Sequence, residues 1–190
     1  MDKIQLYNVV PEIFAHREDL DSDIWHKKFC FEQGKSYLIK AASGTGKSSL
    51  CSYIYGLRDD YSGRISFDDV NINDLTISDW NKVRQTSIGV LFQDLRLFGE
   101  LNAVENVMIK ADLTSHCTKG KAVSLLTEMG LSDRLDRPVS LLSFGQQQRV
   151  AFVRMLCQSA DFWLLDEPVS HLDIDNAKTM ATMLTREAKL

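Results

Sequence analysis

Nine residues, Ala41-Ala42-Ser43-Gly44-Thr45-Gly46-Lys47-Ser48-Ser49, restrict this 190-residue chain more than any other stretch. They follow a short apolar run at residues 36–39, read as a strand, and they lead into residues 48–57, read as a helix. In a strand–loop–helix of this spacing, successive backbone N–H groups, here those of Gly44 to Ser48, can wrap a phosphate. The helix N-terminus beneath adds the positive end of its dipole. Gly44 and Gly46 let the main chain approach the anion without a side chain in the way. Lys47 supplies a mobile cation for β- and γ-phosphates, and the Ser48 hydroxyl suits Mg2+, a hard ion that prefers oxygen. Ala41 stands where the pattern G-x-x-x-x-G-K-[ST] has its first glycine. The alternative at this point is a small-residue turn feeding an ordinary helix, with Lys47 in solvent.

A second feature lies far along the chain. Phe162–Leu165 is an apolar strand followed at once by Asp166, Glu167 and Pro168. Two carboxylates ending a buried strand are costly unless they have partners or work. Because side chains alternate in an extended chain, Asp166 and Glu167 point different ways. One is suited to hold Mg2+ and the other to orient a water for in-line phosphoryl transfer. Solvated acids opening a turn are the competing reading. Upstream, Leu142-Ser143-Phe144-Gly145-Gln146-Gln147-Gln148-Arg149 places a serine N-cap and a glycine before a helix over residues 146–157 whose second half is apolar almost all round. That is a second helix N-terminus open to an anion.

The rest of the chain reads as strands alternating with helices, an α/β pattern with a largely parallel sheet. Strands fall at residues 3–10, 28–31, 64–67 and 88–92, and residues 94–139 are mostly helical, with a helix at 119–129. A last helix buries Ala177, Met180, Ala181, Leu184 and Ala188. Lys and Arg number 22 against 26 Asp and Glu, a net charge of −4 that argues against bulk binding to nucleic acid. Cys30, Cys51, Cys117 and Cys157 form no C-x-x-C pair and read as reduced, apolar fillers. No signal peptide is evident, and no run approaches the ~20 apolar residues of a membrane span.

Taken in order, AASGTGKSS, LFQD with Gln93, LSFGQQQR, FWLLDEP and Ser170-His171-Leu172-Asp173 resemble the nucleotide-binding subunits of ATP-binding cassette (ABC) transporters, essentially over all 190 residues. They are similar to that family's Walker A, Q-loop, signature, Walker B and D-loop. The resemblance implies a P-loop NTPase fold: a mostly parallel core sheet, an antiparallel β subdomain and a helical subdomain. It divides the chain into a β subdomain and phosphate-loop core over residues 1–93, a helical subdomain over 94–141, and the signature helix, Walker B and D-loop over 142–190.

It also implies roles. ATP would lie on Ala41, Ala42, Ser43, Gly44, Thr45, Gly46, Lys47, Ser48 and Ser49, with Phe14 stacked on adenine; a core position is the alternative for Phe14. Mg2+ would be held by Ser48, Gln93 and Asp166, with Glu167 as general base. Ser143, Gly145 and Gln146 would cap the γ-phosphate bound by a second copy, in a head-to-tail dimer with Asp173 on its interface. Residues 63–107 look like the lipoprotein-releasing, macrolide-exporting and cell-division ATPases, which implies an integral membrane permease as partner and a cytoplasmic place on the inner face of the membrane. The implied function is ATP-driven transport, or alternatively an ATP-binding regulatory subunit with little turnover. A soluble cassette acting in DNA repair or translation is disfavoured by the short arm between Gln93 and the signature.

Two departures touch the site. Phe144 replaces the second glycine of LSGGQ, from which slower turnover is expected. No histidine follows His171, although the family places a switch histidine one strand beyond the D-loop helix. The sequence reaches Leu190 without that strand, which reads as a chain that ends early, since a missing strand exposes a sheet edge.

Overall fold

A computed structural model describes residues 1–17 and 20–188. It divides into two compact units, Met1–Arg84 and Gln85–Leu190. Lys189 and Leu190, where the last helix was expected to end, lie outside the described residues.

In the first unit, strands β1 (Lys3–Pro11), β2 (Lys28–Glu32), β3 (Tyr61–Phe67) and β4 (Val70–Asn71) form an antiparallel sheet in the order β2-β1-β3-β4. Along β1, Ile4 and Leu6 alternate into the core, as period-2 patterning requires. The alternation breaks at Asn8, whose φ is 51°, and the register with β3 shifts there, so that Val9 and Val10 are both buried. Helix α1 (Lys47–Ile54) anchors itself through Leu50, Tyr53 and Ile54.

The strand expected over residues 36–39 does not form. Residues 35–42 carry no regular structure, and Leu38 is 80% exposed. A strand exists only where a ladder partner satisfies its backbone groups, and no strand among the described residues pairs with this segment. Its first residues are held by side chains instead. The Tyr37 ring lies edge-on to Phe29 and Phe31, and its hydroxyl accepts from the Glu32 N–H at 3.1 Å.

Helix α2 (Ile77–Thr86) leads into the second unit, where β5 (Ile88–Leu91) and β6 (Phe162–Leu165) pair in parallel, Ile88 opposite Phe162 and Leu91 opposite Leu165. This is the parallel pairing present among the described residues, a narrower sheet than the sequence suggested. Helices α3 (Ala103–Thr114), α4 (Lys119–Glu128) and α5 (Phe144–Leu156) pack around Val107, Leu126, Met129, Phe152 and Val153, all fully buried. A capping box between Asn102 and Glu105 starts α3. The buried Asn106 amide donates to the carbonyls of Phe98, Leu101 and Asn102 and accepts from the Phe98 N–H, which fixes the turn before α3.

Helix α6 (Ile174–Glu187) buries Met180 and Met183. Ala181, expected on the inner stripe, is exposed, because the contact face is rotated toward the Met180–Met183 pair. All four cysteines are free thiols. Cys117 and Cys157 are buried with their Sγ atoms 2.9 Å apart.

Candidate functional site

The phosphate-type loop belongs to the first unit. Gly44 and Gly46 have φ of 77° and 95°, the left-handed region, and Gly46 is the N-cap of α1 with no side-chain cap. The first N–H groups of α1 are therefore left for an anion. A methyl group on Gly46 would meet the Trp25 ring at 3.1 Å and the Phe14 ring at 3.5 Å, so two aromatic rings press against the loop where it turns into the helix. The Trp25 indole N–H donates to the Thr45 carbonyl at 3.0 Å. A trans peptide holds its C=O and N–H on opposite sides, so pinning that carbonyl toward Trp25 turns the Gly46 N–H away from the ring.

The loop also bonds to itself. The Thr45 hydroxyl donates to the Ala42 carbonyl at 2.7 Å, and the Lys47 ammonium donates to the Ala41 and Ala42 carbonyls at 2.9 Å each. A phosphate oxygen is a stronger, charge-assisted acceptor than either carbonyl. Ala41 thus contributes its carbonyl, a part that an alanine fills as well as a glycine. Ala41, Ala42, Ser43, Gly44 and Ser48 are exposed, whereas Thr45, Lys47, Ser49 and Phe14 are half-buried.

In the second unit, the parallel pair brings Gln93, Asp166 and Glu167 to one edge, the carboxyl ends of β5 and β6. The Asp166 N–H donates to the Leu91 carbonyl at 3.0 Å, extending the ladder by one residue, and Asp166 is buried while Glu167 is exposed. Glu167 has φ of 50°, an uncommon conformation for a side chain of this kind. Beyond Gln93, Leu95 and Arg96 are also left-handed, and the Arg154 guanidinium holds both their carbonyls at 2.6 Å.

The signature and D-loop residues meet in the same unit. Ser143 caps α5 in a reciprocal box: its hydroxyl accepts from the Gln146 N–H at 3.3 Å and its own N–H donates to Gln146 Oε1 at 3.0 Å. A methyl group on Gly145 would lie 2.8 Å from the His171 carbonyl oxygen, so the D-loop backbone rests directly on this glycine. The Phe144 ring, 44% exposed, stands edge-on to the His171 imidazole with centroids 4.5 Å apart. Asp173 caps α6 and bonds both the N–H and the side-chain amide of Asn176 at 2.8 Å; these hydrogen bonds hold its carboxyl below the usual carboxylate range.

Three residues that the sequence reading missed support these parts, each within its own unit. Trp25 braces the loop. The buried Gln148 donates through Nε2 to the carbonyls of Glu167 at 3.2 Å and Pro168 at 2.8 Å. Arg149 donates to the Met129 carbonyl at 2.7 Å and to Asn176 Oδ1 at 2.9 Å, and desolvation lowers its pKa from the ordinary arginine value. Gln148 is the third of three consecutive glutamines followed by Arg149, and only the fold shows that it, and not its neighbours, is buried. Trp25, in the polar stretch DSDIWHKK, had no visible signal.

A glycine-bearing loop that feeds an uncapped helix, and a parallel pair that ends in adjacent carboxylates, define a P-loop NTPase fold. The chain belongs to the ABC transporter family, whose description matches residues 26–170. It is similar to the lipoprotein-releasing system ATP-binding protein LolD of Saccharophagus degradans, 35% identical over 156 residues that cover 80% of this chain and 68% of that protein. It is likewise similar to the macrolide export ATP-binding/permease protein MacB of Shewanella oneidensis, 35% identical over 80% of this chain and 24% of that protein. An uncharacterized ABC transporter ATP-binding protein of Mycobacterium tuberculosis is 36% identical over 74% of this chain, which spans 43% of that protein's length. Among solved structures, the dimeric bacterial ABC transporter cassette MJ0796 superposes with a TM-score of 0.83 at 26% identity, covering 98% of this chain and 83% of that one. No helix among the described residues is long and apolar enough to cross a membrane.

Proposed function

We propose that this chain binds and hydrolyses ATP and powers a membrane transporter by closing head-to-tail on a second copy of itself. The observation that carries the reading is the loop at Ala41–Ser48. Its left-handed glycines, uncapped helix start and indole-braced peptide leave N–H groups and a lysine for a polyphosphate. Phe14 packs against the same loop, which suits it to carry the adenine face.

Mg2+ fits the oxygen donors assigned to it, the Ser48 hydroxyl, the Gln93 amide oxygen and the buried Asp166 carboxylate, all hard ligands. That assignment rests on the family's motif order. When bound, the ion neutralises phosphate charge. Glu167 orients and deprotonates the attacking water. Ser143, Gly145 and Gln146 serve the nucleotide of the second copy, and Asp173 faces that copy. A membrane-embedded permease, such as the ATP-binding/permease protein MacB joins to its own cassette, converts closure into transport and holds the chain on the cytoplasmic face. The LolD and MacB likenesses favour an exporter or a lipoprotein-releasing machine.

Two variants test the reading. Lys47→Ala abolishes the rise in melting temperature with ATP, a stabilisation of about 2.7 kcal/mol at 100 times Kd. Glu167→Gln keeps ATP binding and traps a closed dimer. Wild type unmoved by ATP, or Glu167→Gln hydrolysing at the wild-type rate, removes the corresponding assignment. A second reading, a nucleotide-gated regulatory subunit with little turnover, draws on Phe144, which puts an aromatic ring in the signature turn, edge-on to His171. Steady-state ATPase activity with and without the permease separates the two.

A further inference from the structure

We infer that Gln148 is a positioning residue for hydrolysis: from the second turn of α5, it holds the backbone on which Glu167 is carried. The inference rests on the reading of Glu167 as the base and adds the part that sets its place.

Glu167 adopts φ of 50°, a conformation that a residue with a long side chain keeps only when its surroundings impose it. Three groups converge on its carbonyl. Gln148 Nε2 donates at 3.2 Å, the Ser170 hydroxyl at 3.1 Å and the Ser170 N–H at 3.3 Å. Gln148 Nε2 also donates to the next carbonyl, that of Pro168, at 2.8 Å. One amide thus clamps two consecutive carbonyls and fixes the peptide between them. Both amide protons are committed to carbonyls, which sets the amide's orientation, because the opposite one would face oxygen toward oxygen. The clamp is itself rigid: Gln148 is 3% exposed, and its backbone belongs to a helix whose following residues are core.

The clamp has a mechanical consequence. Ser143, Gly145 and Gln146 lie on the same helix within two turns of Gln148, and Arg149, the next residue, reaches Asn176 and through it Asp173. Displacement of the signature turn therefore moves the amide that carries the base, and the D-loop cap with it. Glu167 does not sense the second copy alone; it is geared to the helix that does.

The test is a double-mutant cycle in the full-length chain between Gln148→Met, which keeps length and burial but donates nothing, and Glu167→Gln. ATP hydrolysis is measured alongside the Kd of a fluorescent ATP analogue. Gln148→Met is expected to lower kcat about tenfold or more, since small misplacements of a reacting group are costly, with Kd within twofold. It is expected to cause no further loss when Glu167 is already glutamine. Ser170→Ala, an exposed change that removes one donor from the same carbonyl, gives a smaller loss in the same direction and guards against a Gln148 variant that fails to fold. An unchanged kcat in both variants overturns the inference, as does a loss of equal size in the two Glu167 backgrounds, or a Kd that weakens in step with kcat. If Glu167→Gln alone leaves hydrolysis intact, the base assignment fails instead, a result distinct from any of these.

Discussion

Trp25→Phe isolates what the indole N–H contributes to the phosphate loop. Phenylalanine keeps an aromatic ring against Gly46, which a methyl group there would meet at 3.1 Å, and deletes the donor that holds the Thr45 carbonyl at 3.0 Å. Thr45 is half-buried, so water can take the place of the donor in part, and the net loss is that of one ordinary hydrogen bond, about 1 kcal/mol. The consequence for binding is separate. Once the Thr45–Gly46 peptide is free to rotate, its N–H must be reoriented before it can meet a phosphate. If the whole of that ~1 kcal/mol falls on the unliganded loop, Kd rises about fivefold, since 1.4 kcal/mol is a factor of ten. Trp25→Ala removes the ring as well and costs about 3–5 kcal/mol in stability. Urea denaturation and titration with a fluorescent ATP analogue measure the two effects independently. A Trp25→Phe protein that binds the analogue as tightly as wild type refutes the claim that the indole organises the loop.

Two further changes probe the second unit. In Gly145→Ala the new methyl meets a backbone carbonyl at 2.8 Å, which cannot rotate away; an overpacking cost of about 1–3 kcal/mol outweighs the ~0.5–1 kcal/mol that alanine gains over glycine in a helix. Urea denaturation should find this variant less stable than wild type, and a gain would show that the D-loop yields freely. Burial first, and the contact with Cys117 second, push the Cys157 thiol well above the usual thiol range, so it contributes stability below the unfolded-state value near 8.5 that is lost as pH rises beyond it. Denaturation midpoints measured from about pH 7 to 10 should therefore fall less steeply in Cys157→Ala than in wild type. Native-state alkylation at pH 8 should label the half-buried Cys30 and Cys51 and spare Cys117 and Cys157; equal labelling of all four contradicts the packing.

The parts of this molecule that the sequence announces are those whose causes are local. A phosphate loop is a run of consecutive N–H groups with glycines at fixed offsets, and an N-cap such as Ser143 acts on residues three positions away, so both are legible without knowing what packs against them. Residues 36–39 show the opposite case. Their apolar run is strand-like, but a strand is a relation between two segments, and what these residues find is the aromatic pair Phe29 and Phe31 on the neighbouring β2. Phe144 was legible as a departure and not as a contact: its edge-on packing against His171, and the reason Gly145 beside it must stay bare, follow from where residue 171 comes to rest.

Gln148 belongs with the second case. Once buried, the Gln148 amide N–H groups are costly unless they find acceptors, and Nε2 finds two carbonyls while Oε1 has no hydrogen-bond partner. Its burial requires that some acceptor come to meet it, and the fold supplies both the burial and the acceptor. That the acceptor is the turn carrying Glu167 converts a requirement of burial into a link between the helix that begins at the signature and the proposed base. A substitution that satisfied the burial without donating a hydrogen bond would preserve the fold's packing and break that link, which is why methionine, and not alanine, is the informative replacement.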